Sequence, residues 1–123
     1  MLRKFTKKKF QFSFTPHLSP MFRGILSTIY LDLEKNISQS KILNALTNFY
    51  QNEKFVKILK SNSLLSTNDV IITNNCYISV CKSKYNNKII ILSAIDNLIK
   101  GGAGQAVQNL NNKFNFPEET GLK

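Results

Sequence analysis

Apolar positions along this chain change period several times, and each change predicts an element. Polar and apolar residues alternate through Gln11, Phe12, Ser13, Phe14 and Thr15, which predicts a half-buried strand, and Pro16 and Pro20 then frame a loop around His17. Residues 22–33 form the longest predicted strand, rich in β-branched and aromatic types until Asp32, Glu34 and Asn36 restore polarity. After Ser38, a capping residue type, the spacing becomes helical: Ile42, Leu43, Leu46, Phe49 and Tyr50 share one face, with Lys41, Asn44 and Asn48 outside it. Residues 55–59 read as a short strand and Ser61, Asn62 and Ser63 as a turn. The stretch 64–74 fits no single period, although Ser66, Thr67, Asn68 and Asp69 suggest a turn ahead of Val70, Ile71 and Ile72. Residues 77–81 and 88–95 are two strands around a hairpin loop at 83–87 that lacks the glycine of the tightest turns.

The second hairpin strand leads into the most unusual stretch of the chain. Asp96 and Asn97 are residue types that accept from free amides at a helix start, and Ile99, Gly102, Ala103, Ala106, Val107, Leu110 and Phe114 recur at helical spacing behind them. Gly101, Gly102 and Gly104 should each weaken that helix by about 1 kcal/mol relative to alanine, so its backbone is expected to lie close to something. Another element of the same fold is one such neighbour. A cofactor at the positive end of the helix is another. A dinucleotide fingerprint is excluded, because Val107 stands where its third glycine would be and no following strand carries an acidic residue. A phosphate loop is excluded as well, since no Gly-Lys-Ser/Thr follows.

The element order β, β, α, β, β, β, α has hairpins in place of alternating βα units. It predicts an α+β fold, a mixed and mainly antiparallel sheet with helices on one face. The organisation is a basic arm over 1–10, a sheet with one helix over 11–96, a helix over 97–114 and a tail over 115–123.

At 123 residues the chain makes at most one domain, and its 42% hydrophobic against 20% charged content places it with folded chains. The net charge of +10 makes a polyanion the first partner to consider. Its distribution weakens that idea: Arg3, Lys4, Lys7, Lys8 and Lys9 crowd one end, and the other lysines are scattered, which favours a solvated basic face over a specific nucleic-acid surface. No apolar run approaches the roughly 18 residues of a membrane span, and no secretory signal follows the basic start, so the chain is expected to be cytoplasmic. Cys76 and Cys81 lie five residues apart in one predicted strand, on opposite faces, and are expected to be packed, reduced thiols. With His17 as the single histidine, no metal site is expected.

Two blocks carry a family resemblance. Residues 96–111, Asp-Asn-Leu-Ile-Lys-Gly-Gly-Ala-Gly-Gln-Ala-Val-Gln-Asn-Leu-Asn, with Phe116-Pro117-Glu118-Glu119-Thr120-Gly121-Leu122 behind them, resemble the C-terminal end of N-acetyl-gamma-glutamyl-phosphate reductases. Residues 14–26, Phe-Thr-Pro-His-Leu-Ser-Pro-Met-Phe-Arg-Gly-Ile-Leu, resemble the same family at the matching distance upstream. The resemblance runs through essentially the whole chain and covers roughly the last third of a two-domain enzyme.

The resemblance implies a domain like the C-terminal domain of glyceraldehyde-3-phosphate dehydrogenase, incomplete here, whose sheet forms a subunit interface and whose last helix crosses back to a Rossmann domain. It implies reduction of N-acetyl-glutamyl phosphate to the semialdehyde in arginine biosynthesis, with NADPH as cofactor. A cysteine takes the acyl group, phosphate leaves, and hydride reduces the thioester. The family's nucleophilic cysteine, catalytic histidine and glycine-rich dinucleotide loop fall upstream of the matched part, so no residue here is assigned as catalytic and the chain alone is expected to be inactive.

Asn97, Lys100, Gly101, Gly102 and Gly104 match the family motif expected beside the nicotinamide; for Asn97 a plain helix cap is the alternative. Arg23 is a candidate clamp for a substrate carboxylate or phosphate, with a salt bridge as its alternative, and His17 is a candidate pocket-lining residue. In one place the chain departs from the family: residues 70–75, Val-Ile-Ile-Thr-Asn-Asn, stand where an Arg-Gly-Ser/Thr-Asn run is expected. Two other classes compete with this reading, a small basic nucleic-acid-binding module and a purely structural self-association domain.

Overall fold

The computed structural model describes residues 11–123, so the basic arm expected at 1–10 lies outside the described residues. The hairpin is formed by β3 (Cys76–Lys82) and β4 (Lys88–Ile95), antiparallel, with Ser79 opposite Leu92 and Tyr77 opposite Ala94. Without a glycine, its loop is held by side chain and backbone: Ser83 Oγ accepts the Tyr85 amide at 3.2 Å and the Lys88 amide donates to Tyr85 O at 3.1 Å. On the other side of β4 lies β1 (Ile25–Asp32), antiparallel from the Ile25–Ile95 pair to the Asp32–Lys88 pair. α1 (Gln39–Tyr50) starts at Ser38, whose Oγ accepts the Lys41 amide at 3.2 Å, and it leads to β2 (Val56–Ile58), which runs parallel to β3.

The result is a four-stranded mixed sheet in the order β1-β4-β3-β2, the α+β architecture that the hairpin-rich order predicts. Because β2 and β3 are parallel, the segment between them must cross over. In it, Ser66 and Asp69 form a reciprocal capping box around a 3₁₀ turn at Thr67–Asp69.

The register decides where the core forms. Tyr77, Leu92 and Ala94 share one sheet face, and Leu59, Leu65 and Val70 of the crossover close over them. Val80 and Ile89 are buried on the opposite face, and α1 packs against β2 and β3. β1 is different. All eight of its residues are exposed, including Ile25, Leu26, Ile29, Tyr30 and Leu31, and among the described residues it is hydrogen-bonded to a strand on one side only.

The strand expected at residues 11–15 is absent: Gln11 to Thr15 are irregular and exposed, and Phe14 retains 81% of its accessible surface. Alternation specifies which side chains would share a face, but a strand also needs a neighbouring strand to pair with, and among the described residues the sheet comprises β1 to β4 only.

Beyond β4 the chain makes a π-helical turn at Ile99–Ala103, leaves helical geometry at Gly102, and continues as α2 (Gly104–Lys113). The burial of α2 is inverted relative to its hydrophobic pattern. The apolar positions Ala103, Ala106, Val107, Leu110 and Phe114 are exposed, while Gly104, Gln108 and Asn111, spaced four and then three residues apart, are buried.

Those buried polar groups are satisfied through a network. Gln108 Oε1 accepts from Asn74 Nδ2 at 2.9 Å and from Lys100 Nζ at 2.7 Å, and Gln108 Nε2 donates to Glu118 Oε1 at 2.6 Å. Asn111 Nδ2 donates to the carbonyls of Glu118 and Thr120 at 3.0 and 2.9 Å, which fastens the tail beside α2.

Candidate functional site

The two sequence blocks meet where the loop before β1 crosses the turn between β4 and α2. Adjacent residues of one segment are bound to adjacent residues of the other: Arg23 Nε lies 2.7 Å from Asp96 Oδ2, and the Gly24 amide donates to Asn97 Oδ1 at 2.8 Å. Gly24 suits this crossing because its backbone is left-handed, φ 104°, and a Cβ there would come within 2.5 Å of Thr67 Cβ.

Asp96 is the centre of the crossing. Its Oδ1 accepts the amides of Leu98 at 2.8 Å and Ile99 at 3.0 Å, capping the helix start, while Oδ2 accepts the Ile72 amide at 2.7 Å and faces Arg23. Burial by itself would raise the carboxyl pKa. The Ile72 amide, the Arg23 guanidinium and the Leu98 and Ile99 amides together outweigh burial and lower it to about 2. Asp96 is therefore an anion at any physiological pH.

Arg23 keeps 21% of its side-chain surface and lines an open cleft of about 310 Å³ with Met21, Phe22, Thr67, Asn68 and Ile71. With Nε turned to Asp96, the terminal nitrogens form the part of the fork left for a carboxylate or phosphate. His17 is exposed, with Nδ1 3.2 Å from Thr15 O, and does not line that cleft.

Asn97 accepts Gly24 through Oδ1, and its neighbour Asp96 does the capping, so the Nδ2 group is the part of Asn97 left to meet a ligand. Gly101 and Gly102 are exposed at the helix start. Gly104 points inward: a Cβ there would fall 2.5 Å from both Asn74 Oδ1 and Ile99 Cγ2, so packing within the fold is what requires glycine at this position.

Lys100 is likewise engaged inside the chain. Its Nζ donates to Gln108 and sits 5.5 Å from the centroid of the Phe55 ring. Desolvation lowers its pKa, against the opposing pull of Cys76, Glu118 and Glu53.

Sequence reasoning placed Asp96 only as a helix cap and missed it as the partner of Arg23. The one available signal was its position directly before Asn97. Thr67, Asn68 and Ile71 were beyond reach, because nothing in the sequence brings the ambiguous stretch 64–74 to Arg23.

Both cysteines are free, and among the described residues no cluster of His, Cys, Asp and Glu could hold a metal ion. No helix among them is long and apolar enough to cross a membrane.

A family model described as the semialdehyde dehydrogenase dimerisation domain matches residues 1–97. Over 98% of its length the chain is 47% identical to the N-acetyl-gamma-glutamyl-phosphate reductase of Thermoanaerobacter pseudethanolicus, of which it covers 35%. It is 51% identical over 89% of its length to the reductase of that name from Desulforamulus reducens, covering 32% of it. It is 46% identical over 95% to that of Campylobacter jejuni subsp. doylei, covering 34% of it. The chain thus spans about a third of the length of the curated relatives it matches.

Proposed function

The chain belongs to the family of semialdehyde dehydrogenase dimerisation domains, and from that premise we propose that it is the C-terminal substrate-binding and dimerisation part of an N-acetyl-gamma-glutamyl-phosphate reductase. In this reading the enzyme is cytoplasmic, serves arginine biosynthesis, takes NADPH as cofactor and is inactive without a nucleotide-binding Rossmann domain carried by polypeptide outside these residues.

The observation that carries the proposal is the inverted burial of α2. A helix whose apolar stripe of Val107, Leu110 and Phe114 faces outward while Gln108 and Asn111 are buried is built to be covered by something else. The stripe follows directly on Asn97, Gly101 and Gly102, so a domain docked on it would bring its cofactor to the helix start. The nicotinamide cofactor, when bound, supplies hydride. Asn97 would hold its carboxamide through Nδ2, and the exposed Gly101 and Gly102 backbone would let the ring come close. Gly104 and Lys100 would support that surface from within, through Asn74 and Gln108.

Arg23 would meet the anionic group of N-acetyl-glutamyl phosphate in the cleft beside Thr67 and Asn68, with His17 on the loop leading to it. Exposed β1, which among the described residues is paired on one side only and carries apolar residues on both faces, would be completed by self-association through the sheet.

Supplying the chain with the nucleotide-binding half of the Thermoanaerobacter relative tests the reading. NADPH-dependent reduction of N-acetyl-glutamyl phosphate should appear in the mixture and in neither half alone. No activity at any ratio of the two halves, with both folded, would count against it.

A further inference from the structure

Asp96 does more than begin a helix. Capping occupies Oδ1 alone, and an asparagine would cap equally well, so the helix start does not account for a charged carboxylate at a position with no solvent exposure. The charge faces Arg23 through the other oxygen. That oxygen also accepts the amide of Ile72, a β-branched residue held at φ 62°, where such side chains rarely reside. Backbone strain in the crossover is thus tolerated at the one point where it delivers an amide to the oxygen that faces Arg23. One position along, the Gly24–Asn97 hydrogen bond prevents the two segments from sliding past each other.

We propose that Asp96 is a positioning residue that fixes the rotation of the Arg23 guanidinium, so that an anion entering the cleft beside Thr67 and Asn68 meets an already aligned pair of terminal nitrogens. This rests on the reading of Arg23 as the anion-binding residue. A free arginine side chain samples many rotamers and must be ordered by each anion it binds. One whose Nε is buried and held in a 2.7 Å charge pair with a buried carboxylate has already lost much of that freedom. The same carboxylate caps the turn that presents Asn97, so the anion arm and the helix start are set in one frame by a single side chain.

The experiment is heteronuclear NMR on the 123-residue chain, following the Arg23 Nε–Hε signal and titrating inorganic phosphate. In the unsubstituted chain the Nε–Hε proton should exchange slowly with water, and phosphate should shift it. In Asp96→Asn, the Leu98 and Ile99 amides should stay protected because the cap survives. Rapid Nε–Hε exchange and a phosphate affinity at least about tenfold weaker should accompany them, and Arg23→Lys should lose phosphate binding with Asp96 intact.

A free-arginine exchange rate in the unsubstituted chain would overturn the proposal without any variant having to fold. So would an Asp96→Asn chain that binds phosphate within about twofold of the original. A held Nε–Hε signal with no phosphate binding would uphold the positioning by Asp96 and sink the anion reading of Arg23 instead, so the two failures are distinguishable.

Discussion

Asn97 Oδ1 accepts the backbone amide of Gly24 at 2.8 Å across 73 positions of sequence, and this bond joins the two most recognisable blocks of the chain. Asn97→Ala leaves a half-buried amide without its acceptor and should destabilise the fold by about 1–2 kcal/mol. Gly24→Ala should be at least as costly, about 1–3 kcal/mol, because it combines a left-handed backbone with a Cβ 2.5 Å from Thr67 Cβ. Urea denaturation of the two variants checks both values.

Acid should weaken the fold through Asp96. Its folded pKa of about 2 lies below the ordinary aspartate value of 3.8, so its contribution is fully present above pH 4 and is lost as pH falls toward 2. The size is about 2 kcal/mol, from the difference between those two values. Asp96→Asn should be less stable at pH 7 and should show a flatter acid limb, measured as melting temperature against pH.

Glycine replacements in the helix start should separate. Alanine is favoured over glycine in a helix by about 1 kcal/mol, but at Gly104 its Cβ would meet Asn74 Oδ1 and Ile99 Cγ2 at 2.5 Å, and relieving that contact costs about 1–3 kcal/mol. Gly104→Ala should therefore lower stability. Gly101→Ala, whose Cβ would lie 3.3 Å from the movable end of Ile95, should be neutral or slightly stabilising. A loss of reconstituted reductase activity in a stable Gly101→Ala chain would place the ligand at the outer surface of the turn.

Charge on the outer stripe of α2 should affect assembly and spare the fold. Leu110 keeps half of its surface exposed, so Leu110→Asp should change the stability of the isolated chain by no more than about 0.5 kcal/mol. Its complementation of the nucleotide-binding half should fall by about tenfold or more, read by activity and by co-sedimentation. Equal complementation would mean that the stripe is not the docking surface.

β1 offers the corresponding test of self-association. Ile29 is 42% exposed in the middle of a strand that, among the described residues, is paired on one side only. Ile29→Lys should shift sedimentation toward monomer, since an inserted lysine is a common means of keeping strand edges from pairing.

Periodicity made most of the elements legible. α1 begins where Ser38 can cap, β4 spans residues 88–95 as its apolar run predicts, and the mixed, mainly antiparallel sheet follows from the hairpins. The blocks around Arg23 and Asn97 were legible too, because residue type and order survive in one dimension. Only tertiary structure decided the rest. Whether residues 11–15 form a strand depends on a hydrogen-bonding neighbour that alternation cannot supply. Which face of α2 is buried depends on Asn74, Lys100 and Glu118 converging on Gln108, and a hydrophobic pattern ranks faces by oiliness with no knowledge of such partners. Arg23 and Asp96 lie too far apart in sequence for any local signal to pair them; the register of β1 against β4 brings their two segments together, and burial then makes the pairing of their charges necessary.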